Sequence, residues 1–220
     1  MRIVIKSKGN STDNGQIIIR PARIVVPSRP MRVLDFDAEC RPLHWINSEY
    51  VSREVTALAW AWADKPSEVS CYLLGETDHL TMLGAFVNAY NQADMVTGHY
   101  IRGFDLPLIN SALMELKLPV LGKKMSHDTK IDLVRQHGLS MSQESLGTML
   151  RLDHKKIDMN QGKWRAANRL QPEGLAYVRE RVVGDVQQHI EMHRELLSLD
   201  YLTSPKMWES GTFESPAYTP

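Results

Sequence analysis

The sequence predicts a mixed-sheet α/β domain with helices on both faces. Three observations carry this. Strand-like stretches come first, at 31–40, 54–64 and 69–75. Strand and helix patterns then alternate from 79 to 150. A long helical pattern over 172–199 closes the fold. Strands in direct succession become antiparallel neighbours, whereas strands separated by helices become parallel ones.

Residues 31–40, MRVLDFDAEC, place Leu34, Phe36, Ala38 and Cys40 on one face of a strand and Asp35, Asp37 and Glu39 on the other, because side chains alternate. A second strand, EVTALAWAWAD at 54–64, and a third, VSCYLLG at 69–75, flank a turn at 65–68 that contains Pro66, a hairpin signature. Trp60 and Trp62 share one face of the second strand and read as packing. Residues 79–93 put Leu80, Leu83, Phe86, Val87 and Tyr90 on one helical face, with Asp78 as N-cap. A short buried strand follows at 95–100, then a helix at 104–118. Residues 125–133 read as a strand or a strand-to-helix junction. A helix capped by Ser142 or Ser145 spans 142–150. The last helix, 172–199, has an expected break near Gly184. Residues 1–30 read as an N-terminal β arm or hairpin built from 2–6 and 16–26, which leaves 31–202 as the main domain. Residues 203–220, with three prolines and no periodicity, read as a tail.

The chain has 220 residues, 26 basic and 26 acidic, so no global field draws it to nucleic acid or to an anionic membrane. Any affinity for nucleic acid has to come from a local patch. Its two cysteines, Cys40 and Cys71, lack ligand spacing. That argues against a thiolate metal site or a disulfide framework and fits a reducing compartment. No apolar run reaches membrane-spanning length, and the N-terminus lacks the features of a signal peptide. The expected location is the cytoplasm, or a host's cytoplasm for a viral protein.

Three like charges on one face of a packed strand repel each other. Two readings accommodate them: a solvated acidic edge that discourages pairing, or a seat for a hard cation. Asp105 stands where a helix begins, after GHYIRGF; N-capping accounts for it by itself, and a ligand role is the sharper alternative. Asp185 lies among Val182, Val183, Val186 and Ile190 in the last helix, where a carboxylate needs a partner. Asp128 and Asp132 read as caps rather than ligands.

The order of these acids resembles the DnaQ-like, or DEDD, 3′–5′ exonuclease superfamily, which has a ribonuclease-H-like fold. The matching stretches are Phe36-Asp37-Ala38-Glu39, then GHYIRGFDLPLI at 98–109, then Gly184-Asp185-Val186. Ser145-Leu146, Lys155-Lys156 and Trp164 are similar to polymerase proofreading domains and phage exonucleases. The resemblance implies that Asp37, Glu39, Asp105 and Asp185 bind two divalent cations, Mg²⁺ or Mn²⁺, and hydrolyse DNA from a 3′ end that is single-stranded or frayed. Asp35 shares the strand face and is a candidate outer or alternative ligand.

The chain departs from this pattern in two places. Family members carry Tyr four residues before the last Asp, or His five before it; here those positions hold Arg181 and Glu180. Arg cannot accept a proton. Glu180, Tyr177, Asp35 and His99 are candidates for a substitute base or an outer-sphere role; His189 and His193 follow on the same helix, and for a lone His a structural place is the plainer reading. Tyr100 stands where the family often has Asn. Around Trp164, the basic residues Lys155, Lys156, Lys163 and Arg165 form a candidate nucleic-acid grip; a solvated loop with an anchored Trp is the plainer reading. Alongside the exonuclease stand two alternatives: a catalytically weakened member that binds nucleic acid or a replication partner, and a structure-selective endonuclease.

Overall fold

In the computed structural model, which describes residues 29–43 and 52–211, the expected first strand runs over Val33–Pro42 as β1. β2 (Arg53–Trp62) and β3 (Ser70–Leu73) follow, each antiparallel to the strand before it. Then come α1 (His79–Gln92), β4 (Met95–Gly98), α2 (Asp105–Glu115) and β5 (Lys124–Asp128). α3 (Gln143–Met149), α4 (Gln161–Asn168), α5 (Pro172–Ser198) and β6 (Lys206–Trp208) complete the described residues. The sheet order is β3-β2-β1-β4-β5-β6, with β4 parallel to β1 and β5 parallel to β4. The expected mixed α/β sheet is therefore the fold.

Alternation along β1 decides what each face meets. Leu34, Phe36 and Ala38 join Met82, Leu83, Phe86 and Tyr90 of α1 and Leu106, Ile109 and Leu113 of α2 in one core. Trp60 belongs to that core, stacked on Tyr72 at 5.3 Å and edge-on to Phe86. Trp62 lies under the Arg32 guanidinium at 3.9 Å. Both tryptophans are structural.

On the opposite face, Asp35, Asp37 and Glu39 pair in register with Ala61, Ala59 and Ala57 of β2. Those alanines are fully buried against Val178, Val182, Val186 and Ile190 of α5. Small side chains let the helix lie close to the sheet, so the acidic face of β1 ends up under α5. At 1.5 Å per residue the 27-residue helix is about 40 Å long. It crosses Gly184 without a break, and a Cβ there would make ordinary contact with the Lys155 carbonyl at 3.7 Å.

Two stretches differ from expectation. Within the supposed tail, Lys206–Trp208 adds an antiparallel edge strand to β5, with Trp208 buried. The basic stretch around Trp164 is a helix, α4, whose first turn is capped by the Asn160 side chain accepting from the Lys163 N–H at 3.0 Å. The strand pieces expected at 2–6 and 16–26 lie outside the described residues. Among the described residues no helix is long and apolar enough to cross a membrane.

Candidate functional site

β1 and α5 build the site. Ligand-capable oxygens of Asp37, Glu39 and Asp185 all lie within 4.8 Å of one another. Asp185 is almost fully buried, while Asp37 and Glu39 are half-buried. Burial is the largest influence on all three carboxyls and pushes each above its ordinary range. For Asp37, the charges of Asp185, Asp105 and Glu39 add to the upward push.

Asp105 joins this group from α2 and is not an N-cap. The N-cap position is Phe104, and Asp105 Oδ1 accepts from the backbone N–H of Ala38 at 3.1 Å, between the two acidic β1 positions. Burial moves its carboxyl up to about 8, partly offset by that bond. A strand-edge N–H thus ties the mid-chain acid to the first motif.

The loop ahead of Asp105 explains part of its own sequence. Tyr100 has φ +70°, a left-handed conformation that Asn tolerates more readily than Tyr. Asp128 holds the loop by accepting from the N–H groups of Tyr100 and Arg102, both at 2.9 Å. Asp132 forms a buried two-pronged pair with Arg102, at 2.6 and 2.9 Å. Neither acid caps a helix, which corrects the capping expectation: Asp128 ends β5 and holds the loop, and Asp132 pairs with Arg102. Gly103 leaves room for the Tyr100 ring, which a Cβ there would meet at 2.4 Å.

Asp35 stands apart from the cluster. Its Oδ2 lies 2.5 Å from His189 Nδ1, and His189 Nε2 is 2.8 Å from Thr129 Oγ1. Thr129 Oγ1 in turn lies 3.0 Å from His99 Nδ1, and His99 Nε2 lies 3.0 Å from the Met141 carbonyl. Burial holds His189 and His99 down to about 3 and raises Asp35 well above the carboxylate range. This is a buried hydrogen-bonded string behind the site, and His99 has both ring nitrogens engaged in it. Glu180 is exposed, and Tyr177 lies beneath the Lys163 ammonium at 4.8 Å.

Two cations lie among the carboxylates. Lys156 Nζ is 2.9 Å from Asp185 Oδ2. Arg181 Nε is 3.1 Å from Glu39 Oε1 and 3.6 Å from Asp185 Oδ2. A second Arg181 nitrogen donates to the Ile157 carbonyl at 3.2 Å, and its guanidinium sits over Trp164 at 5.8 Å. Lys156 was expected to face nucleic acid but is paired inside the cluster. Arg181 follows from the spacing, one helical turn before Asp185; only the fold brings Glu39 to it.

The donor set fits a hard cation. It is all oxygen, it is partly desolvated, and among the described residues Asp185 Oδ1 is buried with no hydrogen-bond partner. Beside it Arg41, Leu43, Gln161, Trp164, Arg165, Asn168 and Arg169 line a groove of about 660 Å³. A smaller one, about 240 Å³, runs past Trp164 to Lys156 and Arg181. Lys163 belongs to neither; its ammonium donates to the Asp158 carbonyl. Lys155 is exposed.

Fold and site together describe an α/β protein with a mixed sheet of the ribonuclease-H-like kind and an acidic cluster at the β1–α5 contact. No family model and no curated protein matches the chain in sequence. In fold it is similar to the family B DNA polymerase from the hyperthermophilic archaeon Pyrobaculum calidifontis, with a TM-score of 0.59 and 16% identity. That likeness covers 77% of this chain and 25% of the polymerase, so the chain spans about a quarter of the polymerase's length. At this identity the likeness shows the fold alone.

Proposed function

We propose that the protein is a metal-dependent 3′–5′ exonuclease acting on single-stranded or frayed DNA ends. The observation that carries this reading is the convergence of Asp37, Glu39 and Asp185 within 4.8 Å, with Asp105 bonded to the intervening Ala38 N–H. The motif order and the fold likeness to a DNA polymerase support it.

Asp37, Glu39, Asp105 and Asp185 would hold divalent cations, Mg²⁺ or Mn²⁺. Such ions, when bound, supply Lewis-acid stabilisation of the attacking water and of the departing 3′ oxygen. The chain's own part is binding and exclusion. Trp164 offers a stacking surface, while Arg165 and Arg169 offer charge along the larger groove that Trp164 also lines. Tyr177 and His99 are engaged in other contacts and Glu180 is exposed, so this reading assigns the general base to none of them. A positioned base contributes about 10²–10⁴-fold, so this reading carries a slow hydrolase.

The pairing of Arg181 with Glu39 and Asp185 favours a second reading, a weakened member that binds DNA or a replication partner without cutting it. Oligonucleotides labelled at the 5′ or the 3′ end, incubated with Mg²⁺ or Mn²⁺ beside an Asp37→Ala control, separate the two. Stepwise shortening from the 3′ end that the control lacks supports the exonuclease. DNA binding without turnover supports the second reading, and internal cuts in circular DNA point to an endonuclease.

A further inference from the structure

We infer that Arg181 takes the place of a second divalent ion, so that the free chain loads one cation rather than two. This rests on the acidic cluster being a metal site, as proposed above.

The guanidinium is fixed on three sides: by Glu39 and Asp185, by the Ile157 carbonyl at 3.2 Å, and by the Trp164 ring at 5.8 Å. Its charge is permanent, because no accessible pH deprotonates it. Lys156 adds a second positive charge at 2.9 Å from Asp185. With all four carboxylates ionised, as ligands to a metal must be, these two cations leave a net charge of −2. One divalent ion neutralises that, and a second would leave the same amount of positive excess in a partly buried site. The vacant valence points the same way. Among the described residues, Oδ1 of Asp185 is buried and without a hydrogen bond, while Oδ2 is already taken by Lys156 and approached by Arg181. One face of the cluster is thus open to an ion, and the Glu39–Asp185 face is bridged by protein. Glu144, Lys156 and Arg181 line the small groove at that face, so a shorter neutral side chain at 181 leaves room for an ion with its water.

The test is Mn²⁺ binding by the full chain, followed by the paramagnetic resonance signal of free Mn²⁺ and by calorimetry. Wild type, Arg181→Gln, Arg181→Lys and Asp37→Asn are compared at one pH, with circular dichroism to verify the fold of each. The expected result is one Mn²⁺ per wild-type chain, and in Arg181→Gln a second ion bound at least tenfold more tightly than any second ion in wild type. Arg181→Lys, which keeps the charge, should stay near one. Two ions of equal affinity in wild type and Arg181→Gln would overturn the inference and leave the nuclease reading intact. Mn²⁺ uptake by neither chain above the Asp37→Asn background would overturn both.

Discussion

Replacing Asp37 by Asn should stabilise the metal-free protein while removing its metal affinity. Asp37 lies with Glu39 and Asp185 inside a 4.8 Å cluster, where each pair of ionised carboxylates costs about 3.5 kcal/mol or more at an effective dielectric of 20. Two things reduce that figure. Lys156 attracts the Asp37 carboxylate, and solvent at this half-buried position screens part of the repulsion. We therefore expect a net gain of about 1–3 kcal/mol at pH 8. For a chain of this size that is roughly 3–9 °C in Tm. The sign with pH follows from linkage. A carboxyl whose folded pKa is raised binds a proton that the unfolded chain releases, so its penalty grows as pH rises toward the folded value. The Asn gain should therefore be smaller at pH 5 than at pH 8, and it vanishes only near the unfolded Asp value of about 3.9. Scanning calorimetry in EDTA at pH 5 and pH 8 measures it. Adding Mn²⁺ should then raise the wild-type Tm and leave the variant unchanged. A variant that melts lower than wild type at pH 8, or by an equal increment at both pH values, would refute the reasoning.

Three further expectations concern the rest of the molecule. Gly174→Ala places a Cβ 2.2 Å from the backbone of Ala166 and Ala167. It should cost about 3 kcal/mol in urea unfolding and weaken single-stranded DNA binding, because α4 carries Trp164 and Arg165, while Mn²⁺ uptake on β1 and α5 persists. Trp164→Ala should weaken binding of a labelled single-stranded oligonucleotide by about 1–3 kcal/mol in fluorescence anisotropy if a base stacks there, and leave it unchanged if Trp164 only packs. His193 lies 2.9 Å from His127 Nδ1, and burial holds it down to about 3. Its contribution is present above the ordinary His range and is lost as pH falls from about 6.5 toward 3. His193→Asn should therefore reduce the slope of unfolding free energy against pH in that window by up to about 1.4 kcal/mol per pH unit, read from urea titrations at successive pH values.

Much of this architecture was legible from spacing. The alternation in MRVLDFDAEC sorted Leu34, Phe36 and Ala38 into the core and the acids onto the opposite face, while a register irregularity between Glu39 and Cys40 leaves Cys40 outside that core. Alternation could not separate Asp35 from Asp37, because both point the same way. Packing does so: His189, one turn beyond Asp185 on α5, takes Asp35, and Asp185 meets Asp37. Asp105 looked like a cap because Asp at a helix start usually is one; its partner, the Ala38 N–H, lies 67 residues away in sequence. The edge strand at Lys206–Trp208 is too short to show a period. The signal for α4 was present in Asn160 followed by helix formers, but its basic charge drew the eye to a loop. Tyr100 broke the motif at a position whose φ of +70° no sequence pattern reveals. The Arg181 pairing likewise depended on a rotamer and a cross-sheet neighbour.

Anomalous diffraction from crystals soaked in Mn²⁺ is the most direct measurement of all. A peak bounded by carboxylate oxygens of Asp37, Glu39 and Asp185, within reach of Asp105, is the predicted result. Density for Mn²⁺ only at other surface carboxylates, with Lys156 and Arg181 still closing the cluster at saturating metal, would contradict it.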